Sequence, residues 1–431
     1  MTLVATVMAA ISLILVAPPR RPIAQTITEV SPPTPSSSPY DIAAGPDGAL
    51  WFTQLYGNSI GRITTASVIT EFPLPTANSE PTGIVAGPDG ALWFTQGNGN
   101  RIGRITTAGI ITEFPLPTAG SGPSGIAAGP DGALWFTQMN GNRIGRITTA
   151  GVITQFPLPA FSRPLGIAAG PDGALWFTQR TGNSIGRITT AGIITDFPLP
   201  TAGSNPFDIE AGPDGALWFT QEDGNSIGRI TTAGVITEFP LPTANSFPIG
   251  IAAGPDGALW FTQRNGNSIG RITTAGVITE FPLPTANSVP AGIAAGPDGA
   301  LWFAQFTSNR IGRITTPVPA PVPTLSEWAL ILLGLILAGG AVMDIQRQRR
   351  PAQAHQELLN GPAGDGGTAR MSASHPERRF SRFISGRVTA EAWVPRTPTH
   401  PVTCLPGAER RHTDFKSLEP GPPRWSPSST P

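Results

Sequence analysis

Cysteine is almost absent from this chain of 431 residues: Cys404 stands alone near the C-terminus, which excludes an intrachain disulfide framework and a cysteine-based metal site. Histidine is nearly as scarce. His355, His375, His400 and His412 all lie beyond residue 350, so any chemistry before that point must work without imidazole. Charged residues make up only 13% of the chain and the formal net charge is zero. That excludes a nucleic-acid grip, which needs clustered Lys and Arg to displace phosphate counterions.

What is abundant is one phrase. "GPDGALWFTQ" runs from Gly45 to Gln54 and returns at Gly87, Gly129, Gly170, Gly212, Gly254 and, with Ala304 in place of threonine, Gly296. Its tryptophans stand at Trp51, Trp93, Trp135, Trp176, Trp218, Trp260 and Trp302, a step of 42 residues broken once by a step of 41. A period of that length holding several short β-rich runs is the signature of a four-stranded propeller blade. The expected fold is therefore all-β: a seven-bladed β-propeller of four-stranded antiparallel blades over residues 25–316.

Within each unit the small apolar "GIAAG" suits a crowded innermost strand, and "PDG" turns the chain because Pro presets φ while Gly accepts φ > 0. "ALWFTQ" is apolar on both faces, as a strand packed between neighbouring blades must be. "NSIGRITT", a two-residue turn and "VITEFPL" then predict a hairpin. With Ala66 and Ser67 as the turn, Arg62 faces Glu71, and the same count sets Arg104 against Glu113, Arg187 against Asp196, Arg229 against Glu238 and Arg271 against Glu280. Arg146 would meet Gln155, leaving the third blade without an ion pair. Such cross-strand pairs contribute roughly 0.2–1 kcal/mol each, so the repeated arginine is read as structural.

The seventh unit stops at "IGRITT" and lacks an outer strand, while "TITEV", Thr26 to Val30, precedes the first inner strand. Ring closure by this N-terminal strand is expected, with Glu29 opposite Arg313, and it removes an exposed sheet edge. Residues 1–24 carry an apolar run shorter than a membrane span and read as a signal peptide cleaved near Ala17 or Ala24, a core strand being the alternative. Residues 317–323, "PVPAPVP", form a stiff linker. Residues 324–350 bring a short apolar segment and then Arg347, Arg349 and Arg350, with membrane contact expected through residues 328–343. "PTLSEW", the apolar segment and the arginines together resemble the IPTL-type C-terminal sorting signal of exported proteins. That resemblance implies export to the cell envelope, or secretion after processing. Residues 351–431, rich in Pro, Arg, Ser and Gly without apolar period, read as a disordered tail.

The seven copies agree in their strands and differ in two loops that open on one face of a propeller. After the crossing Pro stand Tyr40, Thr82, Ser124, Leu165, Phe207, Ile249 and Ala291; after the Gln stand Leu55, Gly97, Met139, Arg180, Glu222, Arg264 and Phe306. The next inner-strand residue is Gly in five copies but Asp41 and Asp208 in the others, and Glu210 replaces a small residue. Variation gathered on one face marks where a ligand is read. Tyr40, Asp41, Phe207, Asp208 and Glu210 would bring aromatic surface and carboxylate to the channel mouth, joined by Arg180, Glu222 and Arg264. Carboxylates there could hold Mg²⁺ or Ca²⁺, and facing aromatics a ring or sugar. Neutral drift on a solvated rim is the competing explanation.

"GPDGALWFTQ", "GNRIGRITTAG" and the "ITEFPLPTANS" crossings resemble the streptogramin B lyase family, also called the virginiamycin B lyase family, across all seven units. The resemblance implies a propeller that uses Mg²⁺ to open a cyclic depsipeptide antibiotic by elimination, with a base removing the proton alpha to a carbonyl. The family's essential histidines correspond to Ile249 and Ala291, a family glutamate to Val289 and an acidic residue to Phe306. Only the aromatic Tyr40 keeps its type. The leading expectation is accordingly an exported, monomeric, non-catalytic propeller binding a small molecule, glycan or peptide at the channel mouth, with no confident cofactor. Two others stay open: a Mg²⁺-dependent carbon-oxygen lyase using Tyr40, Asp41, Asp208 and Glu210, and a purely structural surface protein.

Overall fold

A computed structural model describes residues 25–316. The expectations for residues 1–24 and 317–431 lie outside the described residues. Strand β1 (Ile27–Val30) is followed by β2 (Pro39–Ala44), β3 (Leu50–Gln54), β4 (Ser59–Ile63) and β5 (Ile69–Pro73), which form the first blade in the order β2-β3-β4-β5. Strands β6 to β25 build blades two to six in the same way, and β26 (Pro290–Ala295), β27 (Ala300–Gln305) and β28 (Arg310–Thr315) start the seventh. Its fourth strand is β1, in the order β1-β28-β27-β26. The described residues are therefore a closed seven-bladed propeller of four-stranded antiparallel sheets.

The core sits between blades. Trp51, Ile60 and Leu74 of the first blade pack on Ile84, Leu92, Phe94 and Ile105 of the second, and the same set recurs around the ring. All seven repeat tryptophans are buried, which is why "ALWFTQ" must be apolar on both faces. The glycine of "IGR" is required by close approach: a Cβ on Gly61 would lie 2.1 Å from the Phe52 ring across the strand pair.

The predicted hairpin register is wrong by one residue. Ile63 pairs with Ile69, so Arg62 faces Thr70 and Gly61 faces Glu71. The cause is the turn. Ser67 N–H donates to the Thr64 carbonyl, Thr64 N–H donates to the Val68 carbonyl, and Ser67 takes φ 65°, a three-residue turn ending in a left-handed residue rather than a two-residue loop. Glycine occupies that position in later blades, as at Gly109 with φ 86°.

With the register corrected, each arginine finds a different partner. Arg62 Nε donates to Asp47 Oδ2 at 2.6 Å, Trp51 Nε1 donates to Asp47 Oδ1 at 3.0 Å, and the guanidinium lies 5.9 Å from the Trp51 ring centre. Phe72 stacks on that tryptophan at 5.5 Å. The "PDG" aspartate thus joins turn, indole and arginine into one unit. Burial would push the Asp47 carboxyl up, but the indole N–H and the guanidinium outweigh it and hold it below its ordinary range. The third blade is no exception, since Arg146 pairs with Asp131 at 2.6 Å.

Glu71 serves a separate contact. It accepts from Gln54 Nε2 at 2.7 Å and from Thr34 Oγ1 at 2.6 Å, tying its blade to the preceding crossing loop. Gln155 does the same in the third blade, accepting from Thr118 Oγ1 at 2.9 Å. In the closing strand Thr28, not Glu29, faces Arg313, which pairs with Asp298 at 2.7 Å. Glu29 instead accepts from Gln305 Nε2 at 2.7 Å and from Thr285 Oγ1, and lies 3.4 Å from Arg310, so β1 reproduces the latch that Glu71 makes in the first blade.

Candidate functional site

The two variable positions meet because Pro39 pairs with Gln54, which puts the residue after each on the same rim. Between Pro39 and Ile42 the register shifts, so Tyr40 and Asp41 share a bulge opposite Thr53. The threonine of "WFTQ" holds this bulge. Thr53 Oγ1 accepts from Asp41 N–H at 3.0 Å and donates to the Thr82 carbonyl of the next blade at 2.7 Å. Blades one to six make this staple; Ala304 in the seventh cannot, leaving the seam with the first blade without it.

The rim encloses a funnel of about 320 Å³. Leu165, Phe207, Ile249 and Ala291 line it, and Ile249 and Ala291 are buried. Tyr40, Phe306 and Tyr56 form an aromatic edge, with Phe306 6.2 Å from Tyr40 and 5.7 Å from Tyr56 between ring centres. Val289 completes that side. Elsewhere on the rim Arg180 Nη2 lies 2.6 Å from Glu222 Oε2, and Arg264 Nη1 lies 3.7 Å from Glu222 Oε1. Glu222 is 5% exposed, and burial raises its carboxyl pKa despite the Arg180 charge.

Below the funnel a neck of about 70 Å³ is ringed by five glycines, Asp41 and Asp208. Each aspartate bridges two blades: Asp41 accepts from Ile42 N–H at 2.9 Å and from Ile84 N–H at 3.0 Å, Asp208 from Ile209 N–H at 2.9 Å and Ile251 N–H at 3.1 Å. Burial pushes Asp41 up to about 6; burial and the Asp41 charge push Asp208 up to about 7. Tyr40 is driven to about 12, mainly by burial, so its phenol stays protonated. Glu210 is not at the mouth, contrary to expectation. It lies two residues further along the inner strand, opposite Trp218 and outside the lining of both funnel and neck, and burial with the Asp208 charge raises it to about 8.

The family model for the virginiamycin B lyase family matches residues 20–163 and 159–319. The chain belongs to the virginiamycin B lyase family. A streptogramin B lyase structure is 43% identical, with a TM-score of 0.66 over 68% of this chain and 97% of that one. The Staphylococcus aureus virginiamycin B lyase, in a catalytically inactive histidine-to-alanine form with quinupristin, is 44% identical, with a TM-score of 0.65 over 68% of this chain and 99% of that one. The hydrazine synthase of Kuenenia stuttgartiensis, 20% identical with a TM-score of 0.56 over 66% of this chain and 97% of that one, shares the fold alone. A comparison with curated proteins finds no match. An IPTL-CTERM motif covers residues 320–350 and indicates a C-terminal sorting signal for export to the cell surface.

The Mg²⁺ associated with virginiamycin B lyases does not fit the residues present here. Among the described residues no three His, Cys, Asp or Glu side chains are placed to share an ion. Asp41 and Asp208 are occupied by backbone N–H groups and shifted toward their protonated forms, and Glu222 is tied to Arg180.

Proposed function

We propose that this protein is an exported, non-catalytic member of the virginiamycin B lyase family that binds an apolar ligand of small-molecule or peptide size in its funnel. One observation carries the reading. Where the family resemblance calls for histidines, Ile249 and Ala291 stand as buried apolar parts of the funnel lining, and no histidine occurs between residues 25 and 316. Elimination needs a base at the substrate's alpha proton, and losing a general base typically lowers the rate by about 10²–10⁴. The same substitution favours binding, because an apolar lining gains from covering an apolar ligand.

The test is incubation of the purified protein with quinupristin and Mg²⁺, followed by mass spectrometry and calorimetry. Heat of binding without ring-opened product is expected. Ring-opened product would overturn the reading in favour of elimination. Absence of binding by any apolar ligand would support a purely structural role.

A further inference from the structure

Resting on the funnel-binding reading, we infer that the Arg180–Glu222–Arg264 arc recognises a free carboxylate on the ligand, as at the end of a linear apolar peptide. The three residues occupy the same repeat position in three successive blades, just after the second strand, so they form a continuous arc of the rim. Glu222 is one acceptor between two cations. Arg180 takes it at 2.6 Å, while Arg264, at 3.7 Å, is beyond hydrogen-bonding distance and half exposed. The arc therefore carries one surplus positive charge with a planar fork of donors facing the funnel, the geometry that matches a carboxylate. Arg163 stands beside it, 3.9 Å from the Met139 sulfur, and Asp223 is engaged by Asn205.

The rest of the funnel sets the ligand's other end. Leu165, Phe207, Ile249 and Ala291 offer no charge, and Tyr40 with Phe306 closes the aromatic edge. A molecule that is anionic at one end and apolar along its body satisfies both regions. A sugar leaves the apolar lining uncovered, and a cyclic depsipeptide leaves Arg264 unanswered. The acidic neck lies beneath, so the anion belongs at the rim.

The probe is N-acetyl-phenylalanyl-leucyl-leucine as the free acid and as its C-terminal amide, titrated into the full chain by calorimetry. A charge-assisted hydrogen bond predicts that the acid binds roughly tenfold or more tighter than the amide. Arg264→Gln should remove that preference. Glu222→Gln should increase the preference by removing the competing carboxylate, and 0.5 M salt should reduce it. Equal affinities for acid and amide would overturn the carboxylate assignment while leaving funnel binding intact. Failure of both to bind would overturn the two readings together.

Discussion

Replacing Glu210 by alanine should stabilise the ring at high pH and not at low pH. Six other blades carry Ala43, Val85, Ala127, Ala168, Ala252 and Ala294 at this position, so the smaller side chain already fits the inner strand. Asp41 and Asp208 each accept two backbone N–H groups, but among the described residues Glu210 has no such compensation for its burial. With its pKa raised from 4.5 to about 8, the folded protein holds more protons than the unfolded chain across that window. Stability therefore falls as pH rises through it, and the loss is complete above the folded value. At about 1.4 kcal/mol for each tenfold change the ceiling is near 5 kcal/mol, and the partial exposure of Glu210 reduces it to about 2–3 kcal/mol. Urea unfolding followed by tryptophan fluorescence at pH 4 and pH 8.5 measures both limits. Glu210→Ala should gain about 2 kcal/mol or more at pH 8.5 and change stability by less than about 0.5 kcal/mol at pH 4. An equal gain at both values, or a loss at pH 8.5, would refute the assignment of the cost to ionisation.

Other parts of the ring give further tests. Ala304→Thr should restore the missing staple between the last and first blades, donating to the Tyr40 carbonyl and accepting from Gly292 N–H, and raise stability by about 1 kcal/mol in thermal melts. Deleting residues 25–31 removes β1 and the Glu29 latch, exposes the edge of β28 and should lower the melting temperature by several degrees; an unchanged melt would sink the closure argument. Asp47, Asp89, Asp131, Asp172, Asp214 and Asp298 all titrate below their ordinary range, so their contribution is lost as pH falls below about 4, while the channel acids act in the opposite direction. Stability should therefore peak near about pH 4 and fall as pH rises toward 8, and a monotonic rise to pH 8 in urea titrations would contradict the buried-acid argument.

The fold was legible because repetition makes it redundant. Seven tryptophans near a 42-residue step leave few architectures, and the seventh unit's missing outer strand points to the N-terminal segment as its replacement. The candidate site was legible in outline for the same reason: positions that differ between copies stand out against those that do not, and the pairing of Pro39 with Gln54 gathers Tyr40, Phe306, Arg180, Glu222 and Arg264 on one rim. Partners of individual side chains were not legible. A left-handed turn residue adds one position to each hairpin, and a shift of one residue moved every arginine from the outer-strand acid to the aspartate of "PDG".

What the sequence by itself determined is the number of blades, the means of closure and the absence of imidazole from the ring, because these depend on counting and spacing. Tertiary structure alone decided depth and partnership. It put Ile249 and Ala291 in the funnel lining, set Asp41 and Asp208 at the neck holding backbone N–H groups, sank Glu210 beyond the mouth, and brought Arg180 and Arg264 to opposite sides of one buried carboxylate. The physical reason is that a side chain's charge and reach depend on what neighbouring blades put against it, and blades adjacent in space contribute residues about forty positions apart in sequence.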